Sequence, residues 1–69
     1  INEEAFFELV KGCFKQRRKT ILNNFGEYLG DKTKAKEVLQ HAGVDEKRRA
    51  ESLTIDEFKH LYEVCIHEN

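Results

Sequence analysis

A run of basic side chains is the feature of this sequence best suited to binding a ligand. Between positions 11 and 19 there are five cations and no acidic residue, so the local charge is +5. The cations are Lys11, Lys15, Arg17, Arg18 and Lys19. Guanidinium and ammonium groups contact phosphates and release counterions when they neutralise a nucleic-acid backbone. The run therefore predicts a phosphate-binding surface, to which Gln16, Asn23 and Asn24 could add hydrogen bonds.

The predicted helices around this run favour the same chemistry. Lys11, Lys15 and Arg18 follow one another at i, i+4 and i+7, a spacing that places them on one helix face. The next helix begins directly after the run, at Thr20, and the unpaired N–H groups of a helix N-terminus attract anions. The alternative is a solvated basic face that is paired with the acidic ends of the same domain, because such surface pairs are common and contribute little.

A second basic cluster consists of Lys47, Arg48 and Arg49. Lys47 and Arg48 are candidates for further phosphate contacts. One of the two arginines could instead have a structural role, as a partner of Glu51 or of helix-end carbonyl groups. The sequence leaves both readings of this cluster open.

Catalytic and metal-binding patterns are absent from the sequence. The three histidines, His41, His60 and His67, show no metal-ligand spacing, and Cys13 and Cys65 fall at predicted core positions. The four glycines form neither a GxGxxG pattern nor a phosphate-binding loop. We therefore expect no catalytic residue, no metal ligand and no cofactor site in this chain.

The elements that must position the basic residues are helices, because apolar residues recur at helical spacing throughout the chain. We predict helices over 2–16, from Thr20 to Gly30 and from Asp31 or Thr33 to Gly43. A short helical segment capped by Asp45 follows, and a last helix begins at a capping box of Thr54 and Glu57. No segment alternates with the period of a strand. The predicted fold is all-α, a compact bundle of four to five short helices.

The predicted core follows from the apolar stripe of each helix. The first stripe runs through Phe6, Val10 and Cys13, with Leu9 and Phe14 on its shoulders. The stripes of the second and last helices include Tyr28 and Ile55. Aromatic side chains at these spacings indicate core packing and not base stacking, and Phe7, at the edge of its stripe, is the exception.

Composition limits the size and location of the domain. The chain has 69 residues, 39% hydrophobic and 36% charged, with a net charge of −1; this length is typical of one small domain. No apolar run approaches a membrane span, and no signal-peptide pattern opens the chain. Two widely separated cysteines favour a reducing compartment, so we expect a cytoplasmic monomer. The chain begins with Ile in helix-like sequence, and we interpret it as a piece of something longer.

Two blocks of the sequence, over 6–24 and 42–58, resemble a known family. Their most specific stretches are Phe-Lys-Gln-Arg-Arg-Lys-Thr at 14–20 and Arg-Arg-Ala-Glu-Ser-Leu at 48–53. Both are similar to the C-terminal helical domain of bacterial small-subunit (16S) rRNA adenine N6,N6-dimethyltransferases. The family's basic Gln-Arg-Arg-Lys segment falls on Gln16, Arg17, Arg18 and Lys19.

This resemblance implies that residues 1–69 form a single C-terminal domain whose catalytic domain is absent. In the family, a Rossmann-like N-terminal domain binds S-adenosylmethionine and methylates N6 of two adjacent adenosines of small-subunit rRNA. Its catalytic Asn-Pro motif and glycine-rich loop cannot lie here, since this chain has no proline and no clustered glycines. The resemblance thus assigns S-adenosylmethionine to the full-length parent and not to this fragment.

The expected function is a non-catalytic rRNA-docking domain of such a methyltransferase. Its expected partners are small-subunit rRNA in the assembling 30S subunit and the N-terminal catalytic domain. The predicted RNA-binding residues are Lys11, Lys15, Gln16, Arg17, Arg18, Lys19, Lys47 and Arg48. The alternative is a structural helical module that braces the catalytic domain or contacts a ribosomal protein. A helix-turn-helix DNA binder is a weaker reading, because no segment stands out as a recognition helix.

Overall fold

The structure, a computed structural model, describes residues 2–67 and is built from helices over that range. The elements are α1 (Glu3–Cys13), α2 (Ile21–Leu29), α3 (Lys32–Ala42), a 3-10 helix (Ala50–Ser52) and α4 (Ile55–His67). Four α-helices and one short 3-10 helix confirm the predicted all-α bundle. None of the described helices is long and apolar enough to cross a membrane.

The starts of the first three helices are fixed by local side-chain caps. Asn2, Thr20 and Asp31 each accept a hydrogen bond from the backbone N–H three residues later, at 3.1, 3.4 and 3.1 Å. Such caps satisfy amide groups that the helix itself leaves unpaired. Of the two caps predicted for α3, the structure uses Asp31, and Thr33 lies inside the helix.

The ends of α2 and α3 and the start of α4 also follow the predicted chemistry. Gly30 and Gly43 have φ angles of 74° and 73°, in the left-handed region that glycine occupies at little cost. The amide of buried Val44 donates to the carbonyl five residues earlier at 2.9 Å, which forms a Schellman motif at the predicted end of α3. Thr54 and Glu57 form the reciprocal capping box, at 2.8 and 3.1 Å.

Two predicted boundaries are wrong. Helix α1 ends at Cys13 and does not reach Gln16, because the amide of Phe14 is shared between two carbonyls of the last turn and the chain then turns away. The segment after Asp45 is a turn and not a helix. The Asp45 carboxylate accepts from the amide of Lys47 at 2.9 Å, and the 3-10 helix begins only at Ala50.

The core lies between α1, α2, α3 and α4. Helices α1 and α4 pack antiparallel, since Phe14 approaches Phe58 and Phe6 approaches Tyr62, both with ring centroids 5.8 Å apart. The buried apolar residues are Leu9, Cys13, Ile21, Phe25, Ala35, Val38, Leu39, Val44, Ala50, Leu53, Phe58, Leu61, Tyr62 and Cys65.

The buried stripe of α1 is centred differently from the prediction. It is centred on Leu9 and Cys13, and Phe6 is only half buried. The predicted core placement of Phe14, Tyr28 and Ile55 is wrong, because these side chains are 41%, 41% and 62% exposed.

A close approach between α1 and α2 occurs at a glycine. A Cβ atom on Gly12 would lie 2.6 Å from Cδ1 of Tyr28, inside van der Waals contact, so α1 passes the Tyr28 ring without a side chain between. At Gly26, inside α2, a Cβ would lie at an ordinary 3.4 Å from Lys32.

Candidate nucleic-acid interface

The loop that joins α1 to α2, residues 14–20, carries most of the basic run. We call it the 14–20 loop. The amide of Lys19 donates to the carbonyl of Gln16 at 3.2 Å, which closes a turn with Arg17 and Arg18 at its tip. Lys15 and the four residues of this turn are all exposed. The predicted RNA-binding residues of this segment therefore lie together on an open surface.

Asn24 holds the 14–20 loop from beneath. Its side chain is 1% exposed, and its amide nitrogen donates to the carbonyls of Cys13 at 2.9 Å and Gln16 at 2.8 Å. The predicted contribution of Asn24 to nucleic-acid contacts is therefore wrong, because the residue is buried and its donors are used. The available signal was its position on the buried face of α2, directly before Phe25 and three residues after Ile21.

The predicted anion site at the N-terminus of α2 is also wrong. The amide of Ile21 donates to the carbonyl of Arg48 at 2.6 Å, and the amide of Leu22 donates to the carbonyl of Glu46 at 3.3 Å. The third amide is capped by Thr20. These N–H groups are consumed within the protein and cannot bind an external phosphate.

The same hydrogen bonds bring the two basic clusters to one end of the domain. They join Glu46 and Arg48 to the first turn of α2, which directly follows the 14–20 loop. Lys47 and Arg49 are exposed beside the loop, and Arg17 lines a small cavity together with Ala50 and Glu51. We call the combined surface of the 14–20 loop and residues 45–49 the basic end.

Arg48 is a structural member of the basic end. Its guanidinium donates to both carboxylate oxygens of Glu57, at 2.5 and 3.2 Å, and to the carbonyl and hydroxyl of Ser52. The predicted pairing with Glu51 is wrong, whereas the predicted bond to a helix-end carbonyl is confirmed. The hydrogen bond from Arg48, with a further one from the Thr54 amide, lowers the pKa of Glu57 to about 2.

The other cations of the basic end point into solvent without acidic partners. Among residues 2–67, no carboxylate lies within ion-pair distance of these side chains. They are Lys15, Arg17, Arg18, Lys19, Lys47 and Arg49. The predicted pairing with the domain's own acids therefore occurs at Arg48, and no direct ion pair with a described carboxylate forms at these six cations.

Lys11 stands apart from the basic end. It lies on the last turn of α1, with its side chain 78% exposed and its ammonium 3.9 Å from the Glu8 carboxylate. Because α1 ends at Cys13, Lys15 and Arg18 belong to the loop. The predicted single helix face of Lys11, Lys15 and Arg18 is therefore wrong.

The chemistry available here is charge neutralisation. Burial raises the pKa of the Cys13 thiol to about 12, so the sulfur stays protonated and non-nucleophilic at neutral pH. Cys65 is likewise buried and free. Within residues 2–67, no group of His, Cys, Asp and Glu side chains could hold a metal ion. Three histidines do border one shallow depression between α3 and α4, namely His41, His60 and His67.

Comparison with known proteins gives consistent relatives. The ribosomal RNA small subunit methyltransferase A proteins of Staphylococcus aureus strains JH9, Newman and JH1 are each 53% identical to this chain over 66 residues. The alignment covers 90% of this chain and 22% of each relative, so the chain spans about a fifth of their length. No family model matches the chain.

The matched stretch lies in the C-terminal part of these relatives. It takes in both basic clusters, because it covers nearly the whole chain. The resemblance inferred from the two sequence blocks is thus confirmed: over nearly its whole length this chain is similar to the C-terminal part of ribosomal RNA small subunit methyltransferase A.

Proposed function

We propose that this chain is the non-catalytic, rRNA-docking C-terminal domain of a longer S-adenosylmethionine-dependent methyltransferase. The parent enzyme would dimethylate two adjacent adenosines of small-subunit rRNA in the cytoplasm, within the assembling 30S subunit. The relatives' name, which specifies a small-subunit rRNA methyltransferase, supports the substrate class. Residues 1–69 form one domain in this proposal, and S-adenosylmethionine binds outside it.

The observation that carries the proposal is the basic end. Backbone hydrogen bonds hold the 45–49 segment against the first turn of α2, directly after the 14–20 loop. The exposed cations of the two segments form no ion pair with a carboxylate among the described residues. Cations on adjoining loops can contact phosphates along a folded RNA, which is recognised mainly by its shape and backbone. Arg17 and Arg18, at the tip of the turn, are the central contacts. Lys15, Lys19 and Lys47 flank them.

Two of the predicted RNA-binding residues take different roles in this proposal. Arg48 positions the 45–49 segment through Glu57 and Ser52, so its effect on RNA is indirect. Lys11 lies before the basic end and contributes a peripheral charge. Gln16 forms the turn through its carbonyl, while its exposed side chain remains available to RNA.

The test is the salt dependence of binding by the longer protein to unmethylated small subunits. Each phosphate contact contributes about 0.7–0.9 to the slope of log K against log salt. Arg17→Gln combined with Arg18→Gln should therefore reduce the magnitude of this negative slope by roughly 1.5 and weaken binding. Affinity for S-adenosylmethionine should not change.

A matched control separates local contacts from bulk charge. Lys59→Gln removes one exposed cation from α4, outside the basic end, and should leave the slope unchanged. An unchanged slope in the double arginine variant would contradict the proposal. If that variant instead lost stability or domain packing at constant rRNA affinity, the structural alternative would replace it.

A further inference from the structure

Exposed apolar side chains on α1 and α4 form a second surface. Phe7, Ile55 and Ile66 are 63%, 62% and 49% exposed. On α4, positions 55, 59, 62 and 66 share one helix face. This face therefore carries Ile55, Lys59 and Ile66 around Tyr62, which packs against α1. We call it, together with Phe7, the α1/α4 face.

The α1/α4 face has the composition of an interface. Phe6 and Phe7 have ring centroids 6.3 Å apart, and with Glu3 and Lys59 they line a shallow depression that is mostly apolar. The Glu3 and Lys59 side chains supply opposite charges at its edge. An apolar centre with a charged rim is typical of protein–protein contacts. No described residue buries the three large apolar side chains of this face, Phe7, Ile55 and Ile66.

The relatives indicate what covers this face. The chain matches the C-terminal part of proteins in which it accounts for 22% of the length, so most of each relative lies outside the matched stretch and polypeptide precedes that stretch. A polypeptide that enters α1 arrives at Glu3, which itself lines the depression. A segment that is covalently joined to α1 is present at a high effective concentration near this depression.

We propose that the α1/α4 face packs against the polypeptide that precedes this chain in the longer protein. The depression near Glu3 lies about 16 Å along α1 from the basic end, at 1.5 Å rise per residue over its 11 residues. The part of the face around this depression then serves protein packing at the end of α1 that is opposite the basic end. This inference rests on the proposed function, because it requires a longer parent protein.

Hydroxyl-radical footprinting tests the proposal by comparing the longer protein with the 69-residue chain, both at low concentration. Oxidation of Phe7 and Ile66 should fall severalfold in the longer protein. Tyr28, which is 41% exposed and lies outside the face, should be oxidised equally in both. Equal oxidation of Phe7 in both proteins would overturn the proposal. Protection that instead requires a higher concentration of the chain, or added ribosomal subunits, would assign the face to a second copy or to another protein and would also overturn it.

Variants supply an independent readout. Phe7→Ser should lower the unfolding temperature of the longer protein and leave that of the 69-residue chain unchanged, since the side chain is exposed there. Glu8→Ser, at a neighbouring α1 position whose side chain is also 63% exposed, should have the same small effect in both proteins, because it removes the same exposed pair with Lys11 in each. Equal effects of Phe7→Ser in both proteins would refute the packing. Because neither variant touches the basic end, this test can fail while the salt-slope test succeeds.

Discussion

Replacing Asn24 with alanine should show how strongly one buried amide supports the basic end. The side chain is 1% exposed, and its two N–H groups are the donors for the carbonyls of Cys13 and Gln16. Alanine would leave both acceptors without this donor and would also leave space inside the domain. We expect the 14–20 loop to detach and the whole domain to lose stability.

The magnitude follows from the buried polar groups at this position. A buried polar group left without a partner costs about 1–3 kcal/mol. The bond to Cys13 is buried and the bond to Gln16 is partly buried, so water can replace only the second donor. Alanine also removes the buried Oδ1 of Asn24, which has no hydrogen-bond partner among residues 2–67, and this offsets part of the cost. We therefore expect a net loss of about 1–3 kcal/mol in the free energy of unfolding, a large part of the roughly 3–5 kcal/mol that the core of a domain of this size supplies.

Urea unfolding of the 69-residue chain, followed by circular dichroism, measures this loss. Asn23→Ala is the matched control, because Asn23 is only half buried and we expect a cost below about 0.5 kcal/mol. Asn24→Asp keeps the shape but offers oxygen to both carbonyls, so it should be at least as destabilising at pH 7. If Asn24→Ala and Asn23→Ala unfold at the same urea concentration, the assigned role of Asn24 is wrong.

Two further predictions concern packing and pH. Gly12→Ala should lower the unfolding temperature. Overpacking against Tyr28 costs about 1–3 kcal/mol, which outweighs the gain of about 1 kcal/mol in helix propensity. A higher unfolding temperature would contradict the close approach of α1 to the Tyr28 ring. The pKa of Glu57 is about 2, below the value of 4.5 for an unpaired glutamate. The pair with Arg48 therefore stabilises the fold above pH 4.5, and this stabilisation is lost as the pH falls toward 2. The unfolding temperatures of the wild type and Glu57→Gln should therefore differ at neutral pH and converge at low pH, whereas a constant difference would count against the pairing.

The sequence predicts features whose physical causes are local. The caps at Thr20 and Asp31 and the left-handed glycines depend on groups within a few residues of each other, and the structure has each of them. The fold class follows from the same short-range periodicity. For the candidate site, the exposed run of cations is also local, since its residues are consecutive in one loop.

Features set by distant residues were not predictable from spacing. The end of α1 depends on Asn24, whose side chain binds the carbonyl of a residue 11 positions earlier. The partner of Arg48 is Glu57, nine positions away, whereas Glu51 is closer in sequence and carries the same charge. The sequence alone could not decide which of the two carboxylates Arg48 binds. The loss of the anion site at α2 depends on the Glu46 carbonyl of another loop. Each of these needs the folded arrangement of two segments.

The use of the first α2 amides by the carbonyls of Glu46 and Arg48 has a consequence for selectivity by ligand length. With these amides in use, the first turn of α2 has no backbone donor left for a phosphate, and binding at the basic end depends on exposed side-chain charges. Such a surface gains affinity by engaging many phosphates at once. A mononucleotide should therefore bind negligibly, and affinity should rise with oligonucleotide length until the strand spans both loops.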